Sequence, residues 1–124
     1  MPREKKNEYE IIGLVTAESL RKSKIYKLIK EDLLQQLQLK NAYIPVFISL
    51  VEDYMNLWVT KELLAADIRK RGVIVTYNNG GGQEGTKSND SVDKQHRVSA
   101  QMTKLLSELD IKSNTIIRDG DDEL

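Results

Sequence analysis

Apolar residues recur at three- and four-residue steps between residues 17 and 39, which is the period of an amphipathic helix. The residues on this face are Ile25, Leu28, Ile29, Leu33 and Leu37. Thr16 is suited to cap the helix, and Glu18 lies in the first turn, where the helix dipole favours an acidic side chain. The pattern predicts a first helix over 17–39 and leaves open a break near Ser23 that would divide it in two.

A second helical pattern runs from Ala42 to Lys70, after a break at residues 40–41. Pro45 fits the first turn, where a backbone N–H has no intrahelical acceptor. The apolar residues of this helix form two adjacent lines, and a surface that wide packs against more than one neighbour. We expect one neighbour to come from another subunit. The residues of the predicted oligomer interface are Phe47, Leu50, Val51, Tyr54, Leu57 and Trp58.

Gly72 is placed to end the second helix. A β-branched and aromatic run then leads into a glycine-rich stretch, which predicts a small β-hairpin over 73–87. Asn89 is suited to cap a third helix that reaches Leu109. The pattern as a whole therefore predicts a mainly α fold: three principal helices, a small β-hairpin between the second and third, and an oligomeric assembly.

The chain has 124 residues, which suits a single domain. We expect a flexible N-terminal segment over 1–15, a helical domain over 16–111 and an acidic tail over 112–124. The chain contains no cysteine, its start lacks the apolar core of a secretory signal, and charged residues interrupt its longest apolar stretch. These features predict a soluble, cytoplasmic protein without a membrane partner.

Net charge is zero, but the charges are unevenly distributed along the chain. Residues 1–30 contain eight Lys or Arg against four Glu, whereas residues 119–124 contain four acidic residues. Basic side chains on one sector of a helix can contact successive phosphates and bind DNA without reading its sequence. A plain solvated helix face explains the same charges equally well. The candidate DNA-binding residues are Lys5, Lys6, Arg21, Lys22, Lys24, Lys27 and Lys30.

The stretch from Gly80 to Ser88 has the composition of a phosphate-binding P-loop. That motif needs a Lys directly after its last Gly, and here Thr86 separates Gly85 from Lys87. His96 is the only histidine in the chain, and a metal site needs three or four converging ligands. We expect no catalytic residues, no metal and no cofactor, and so a protein that is not an enzyme.

The run from Arg71 to Asp90, together with residues 101–109, resembles the P27-type small terminase subunits of tailed phages and prophages. The order of helix, long helix, glycine-rich hairpin and helix over residues 25–111 is that family's order. Two positions depart from it. The family often opens the last helix with Asn-Pro, where this chain has Asn89-Asp90, and often ends it with a Gly-Leu-Thr-Pro-like turn, where this chain has residues 110–113.

The resemblance implies a ring-forming subunit that binds viral double-stranded DNA in the host cytoplasm near the packaging start. It also implies a partner, the large terminase subunit, which holds the ATPase and nuclease that the small subunit regulates. The basic N-terminal part would contact DNA, and the long helix would build the ring. Two alternatives stay open: a dimeric phage or bacterial DNA-binding transcription regulator, and a purely structural helical adaptor.

Overall fold

A computed structural model describes residues 15–78 and 80–111 of the chain. The elements are α1 (Ala17–Arg21), α2 (Lys24–Leu39), α3 (Pro45–Arg71), β1 (Ile74–Asn78), β2 (Glu84–Ser88) and α4 (Asp90–Glu108). The two strands form one antiparallel hairpin between α3 and α4. The predicted mainly α fold with a hairpin between its long helices is confirmed. The predicted acidic tail, and the predicted N-terminal segment except its last residue, lie outside the described residues.

The first predicted helix is divided at Ser23, so the described part of the chain has four helices rather than three. The Ser23 hydroxyl donates to the Leu20 carbonyl at 2.6 Å and accepts from the Tyr26 N–H at 3.2 Å. One side chain therefore ends α1 and caps α2. Before α1, Thr16 and Ser19 form a reciprocal capping box, which confirms the predicted cap at Thr16.

Helix α3 begins at Pro45, three residues later than the pattern predicted. The residue before a proline is disfavoured in helical conformation, and Ile44 is accordingly extended, with φ −125° and ψ 158°. The last helical residue is Arg71, and Gly72 follows it with φ 85° and ψ −179°, a backbone conformation that is essentially restricted to glycine. The 27-residue helix is about 40 Å long and is the element against which the others pack.

The core lies between α3 and the two helices on its sides, α2 and α4. The rings of Tyr26 and Trp58 meet edge to face with centroids 5.8 Å apart, joining α2 to α3. The chain after α4 returns to this core through Leu109 and Ile111. The buried core residues of the helices are Leu33, Leu37, Val51, Met55, Trp58, Val59 and Met102.

The face of α2 that meets the core differs from the predicted one at its start. Ile25 and Leu28 are each 52% exposed, whereas Tyr26 and Ile29 pack against the core. The Tyr26 ring takes the inward position because it finds Trp58 opposite. This turns the preceding residue, Ile25, toward solvent. Two of the five residues predicted for the buried face therefore lie on the outer surface.

The hairpin pairs residues 74–78 with residues 84–88 and contributes no side chain to the core. Gly80 and Gly82 have φ of 90° and 78°, which a tight turn of this kind requires. The Tyr77 ring lies over Gly85, where an added Cβ would come within 2.8 Å of the tyrosine oxygen. The predicted turn is thus confirmed, and a ring packed on the facing glycine supports it.

A polar network fastens the base of the hairpin to α3 and α4. The Asp67 carboxylate accepts from the Arg71 guanidinium at 2.7 and 2.8 Å, from Ser91 Oγ at 2.7 Å and from Asn89 Nδ2 at 3.1 Å. The buried Asn89 also donates to the Gly72 carbonyl and caps α4 through the Ser91 N–H. The Arg71 guanidinium, and then Ser91, hold the pKa of Asp67 well below its usual range.

Replacing Asn89 with Ala should destabilise the fold by about 2 kcal/mol, because it removes a helix cap and leaves buried partners unpaired. Urea unfolding followed by circular dichroism measures the loss. Thr103→Ala is the matched control, since Thr103 bonds only to the Ser99 carbonyl on an exposed helix face. An Asn89 variant as stable as this control would contradict the structural role of the network.

Asp67 should make stability depend on pH in the acid range. Its lowered pKa means that the folded state favours the carboxylate, so its contribution is complete above the usual value of 3.8 and is lost as pH falls below it. We expect wild type to exceed Asp67→Asn in free energy of unfolding near neutral pH, and the difference to shrink below about pH 4. Unfolding of both proteins across this range is the measurement, and a difference independent of pH would refute the assignment.

Candidate nucleic-acid interface

Four exposed cations surround the junction of α1 and α2. Arg21 ends α1, Lys22 lies in the turn, and Lys24 and Lys27 lie on the first turns of α2. The Ser23 cap brings these cations together, because it joins the end of one helix to the start of the next without an intervening loop. These four residues are called the basic surface below.

Three of the four cations of the basic surface form no ion pair with a described residue. Lys22 forms an ion pair with Glu18 at 3.4 Å, but both side chains are about three-quarters exposed, and such pairs contribute little. Within the described part of the chain, Arg21, Lys24 and Lys27 form no ion pair. The cations are therefore available to an anionic partner.

Lys30 was predicted to share this role, but the structure places it in a different setting. Its ammonium contacts a Glu52 carboxylate oxygen at 2.8 Å, which ties α2 to α3. The hydrogen bond to Glu52 raises the pKa of Lys30 against the opposing effect of burial. Lys30 thus has a protein partner that the sequence pattern did not reveal. Lys5 and Lys6, also predicted to bind DNA, lie outside the described residues.

The residues predicted to form the oligomer interface lie mostly against the core of the chain itself. Val51 is 0% and Trp58 7% exposed, so neither presents a surface to a neighbour in this fold. The other four are half-buried and pack around the core: Phe47, Leu50, Tyr54 and Leu57. Burial accordingly raises the pKa of Tyr54. The interface itself stays a prediction, with these four as its remaining members.

Exposed apolar side chains occur at two places that the sequence reasoning did not single out. One is the corner between α2 and α3, with Leu39, Tyr43, Ile44 and Val46. The other is the hairpin, with Val73, Ile74 and Tyr77. The sequence does contain a signal for the corner. The apolar residues around Pro45 lie on the buried face of neither α2 nor α3, so they are candidates for an exposed apolar surface.

The glycine-rich segment joins two paired strands, and a groove lies between α3 and α4. Thr86 and Lys87 are paired within β2, opposite Thr76 and Val75, and so do not form a loop around a phosphate at a helix start. An open groove of about 340 Å³ between α3 and α4 is lined by Asp53, Asn56, Leu57, Gln101 and Leu105. Among the described residues, no cluster of three or more potential metal ligands occurs.

These features define a small helical protein with an exposed cationic helix junction and a projecting hairpin. Residues 21–115 match the family model described as phage terminase, small subunit, which covers well over half of the 124 residues. The chain belongs to this family. The match spans α2, α3, the hairpin and α4. Neither the curated proteins nor the solved structures include a match to this chain. In the part of the chain that the structure describes, no helix is long and apolar enough to span a membrane.

Proposed function

We propose that this chain is the ring-forming, DNA-binding small subunit of a phage terminase, of the P27 type. It binds viral double-stranded DNA in the host cytoplasm to initiate packaging, and it regulates the ATPase and nuclease of the large subunit. The observation that carries the proposal is the basic surface: exposed cations at one helix junction, three of them without an ion pair to any described residue, in a chain that belongs to the terminase small-subunit family.

The spacing of the basic surface suits the DNA backbone. Lys24 and Lys27 are separated by three residues, or about 4.5 Å along the axis of α2, and Lys22 precedes them in the adjoining turn. Cations at this separation can contact phosphates along one strand. Such contacts displace condensed counterions, so binding is salt-dependent and only weakly dependent on base sequence.

A ring would multiply this weak interaction. One subunit supplies only a few phosphate contacts, whereas copies arranged around a ring act on the same duplex together. The exposed apolar corner between α2 and α3 offers a surface for such assembly, next to the half-buried Phe47 and Leu50 on α3. Leaving several large apolar side chains in water at one corner is typical of a protein that is covered there by a partner.

The hairpin supplies a second assembly element. The Asn89 N–H donates to the Val73 carbonyl at 2.7 Å, which places residues 73 and 89 in a hydrogen-bonded pair of the ladder. Since hydrogen-bonded and non-bonded pairs alternate, the backbone groups of Ile74 and Thr76 on β1, and of Thr86 on β2, point outward. In the described part of the chain no third strand covers these edges, and a neighbouring hairpin would satisfy them.

The role that we propose is non-catalytic. The glycine-rich segment acts as a hairpin turn, and the bidentate contact between Asp67 and Arg71 belongs to the network that supports the hairpin. ATP hydrolysis and DNA cleavage would belong to the large subunit.

A dimeric DNA-binding regulator is the second candidate. It is favoured by the short connection between α1 and α2, which resembles two helices of a helix-turn-helix unit with cations at the start of the second. A regulator of this kind would be a dimer and would prefer one palindromic site. Solution mass and sequence preference therefore separate it from the terminase role.

Neutralising the basic surface should weaken DNA binding. The triple variant Lys22→Gln, Lys24→Gln and Lys27→Gln removes three phosphate contacts per subunit, so the slope of log affinity against log salt should fall by roughly 2–3 for each bound subunit. Fluorescence anisotropy with a duplex of arbitrary sequence, measured over a series of salt concentrations, gives both affinity and slope.

The control carries the same charge change elsewhere: Lys87→Gln, Lys94→Gln and Lys104→Gln, all exposed, on β2 and α4. We expect this control to keep most of the affinity and slope of wild type. If both triple variants lose the same affinity, DNA is attracted by the overall charge and not by the basic surface. If the Lys22, Lys24 and Lys27 variant keeps the affinity of wild type, DNA binds to another surface.

Charging the apolar corner should break the assembly. Ile44→Glu with Val46→Glu places two carboxylates where we propose that a neighbouring subunit packs, and burying unpaired charge there is strongly unfavourable. Wild type should have a solution mass well above that of a dimer by light scattering, and the variant a much smaller one. Ser107→Glu, at an exposed position of α4, serves as the control. A wild-type monomer or dimer at high concentration would argue against a ring.

A further inference from the structure

An apolar stripe runs along the outer face of α2, away from the core. Ile25, Leu28 and Leu39 are 52%, 52% and 61% exposed. At about 100° per residue, these three side chains lie within roughly 60° of one another around the helix. Asp32 lies on the same stripe and Gln35 beside it, both exposed. The stripe therefore has apolar ends and a polar middle, and its N-terminal end reaches the basic surface.

The described chain ends beside the opposite end of this stripe. The Lys40 ammonium, at the C-terminal end of α2, donates to the Leu109 carbonyl at 3.0 Å and to the Asp110 carbonyl. The next residue, Ile111, is buried in the core. The described chain therefore ends close to Leu39, at a point held by these contacts.

The sequence of residues 112–124 has the same order of properties as the α2 surface read from Gln35 toward Lys22. Polar residues come first, over 112–115, and Ile116 and Ile117 follow. Arg118 and four acidic residues come last, so residues 118–123 carry one positive and four negative charges, a net charge of −3. Leading away from Lys40, α2 first presents Leu39, which has no apolar counterpart at the start of the segment. It then presents Gln35 and Asp32, Leu28 and Ile25, and finally the basic surface. Apolar residues would thus meet apolar residues, and carboxylates would meet cations.

The distances along the two chains also correspond. Leu28 lies twelve residues before Lys40, or about 18 Å along the helix, and the basic surface begins about 20 Å from it. An extended chain covers about 3.3 Å per residue, so Ile116 and Ile117 reach about 17–20 Å from Ile111, and Asp119 to Asp122 reach about 26–36 Å. The neutral residues 113–115 pass Asp32, so no carboxylate of the segment needs to lie against it.

We propose that residues 112–124 of this chain lie along the outer face of α2 and cover the basic surface, where they compete with DNA. The competition rests on the proposed DNA-binding function, but the docking itself does not. The family match ends at residue 115, so Ile116, Ile117 and the acidic residues lie beyond the region shared with the family model. Salt weakens this contact as it weakens DNA binding, since both depend on the same exposed cations.

A disulfide cross-link tests the docking directly, because the chain contains no cysteine of its own. The test protein carries Leu28→Cys and Ile117→Cys, and the control carries Ala100→Cys and Ile117→Cys. Ala100 is exposed on α4 and lies eleven residues, or about 17 Å, from Ile111, so the reach is matched. Under mild oxidation at low salt, we expect a several-fold higher yield of intrachain disulfide in the Leu28 protein.

Equal yields in the two proteins would overturn the proposal. A disulfide that forms only between chains, seen on a non-reducing gel, would also overturn it, because it would place the segment of a second copy on α2.

DNA binding tests the competition. The variant Asp119→Asn, Asp121→Asn, Asp122→Asn and Glu123→Gln should bind a duplex of arbitrary sequence about three- to tenfold more tightly at low salt, as expected from a few exposed ion pairs. The gain should disappear at high salt and in the background of Lys22→Gln, Lys24→Gln and Lys27→Gln. An unchanged affinity at low salt would overturn the competition. If wild type and all variants fail to bind DNA, the proposed function fails, and the cross-link yields still decide the docking.

Discussion

Burial of one side of α3 between α2 and α4 is the constraint on which the rest of the structure depends. Val51 and Met55 are completely buried, and Trp58 meets Tyr26 of α2 across the same core. Because α3 is long and its neighbours cover only part of it, the chain can hold separate features at its two ends: the corner with its exposed apolar residues at one end, and the hairpin at the other. The core thus determines which surfaces are left over for partners.

The ends of α3 are held by polar contacts rather than by further apolar burial. At the hairpin end, the Asn89 side-chain amide donates hydrogen bonds to the Asp67 carboxylate and to the Gly72 carbonyl. These bonds hold the base of the hairpin on α3, although no hairpin side chain lies in the core. At the corner, Lys40 binds the carbonyls at the end of α4 and fixes where residues 112–124 begin. Both contacts join parts of the chain that are distant in sequence, and both define the position of a surface with a proposed function.

The charges divide according to whether the fold uses them. Lys30 and Arg71 each have a carboxylate partner in the structure, at 2.8 and 2.7 Å, and act within it. Arg21, Lys24 and Lys27 form no ion pair with any described residue and stay exposed, which leaves them available to a nucleic acid or to the acidic residues of the same chain. A net charge of zero therefore conceals a local separation of charge, and that separation is the physical basis of both proposals.

Local chemistry determined much of this protein from the sequence alone. The caps at Thr16 and Asn89, the helix end at Gly72 and the turn after Asn78 follow from interactions between residues close in the chain, and they fixed the order of elements and the family resemblance. The tertiary structure alone decided which side of α2 faces the core, that Trp58 is buried, and that Lys30 is paired with Glu52. A helical pattern identifies several adjacent apolar positions. Which of them are buried depends on the side chains that another helix places opposite. That partner is set by packing over long sequence separations, which periodicity does not encode.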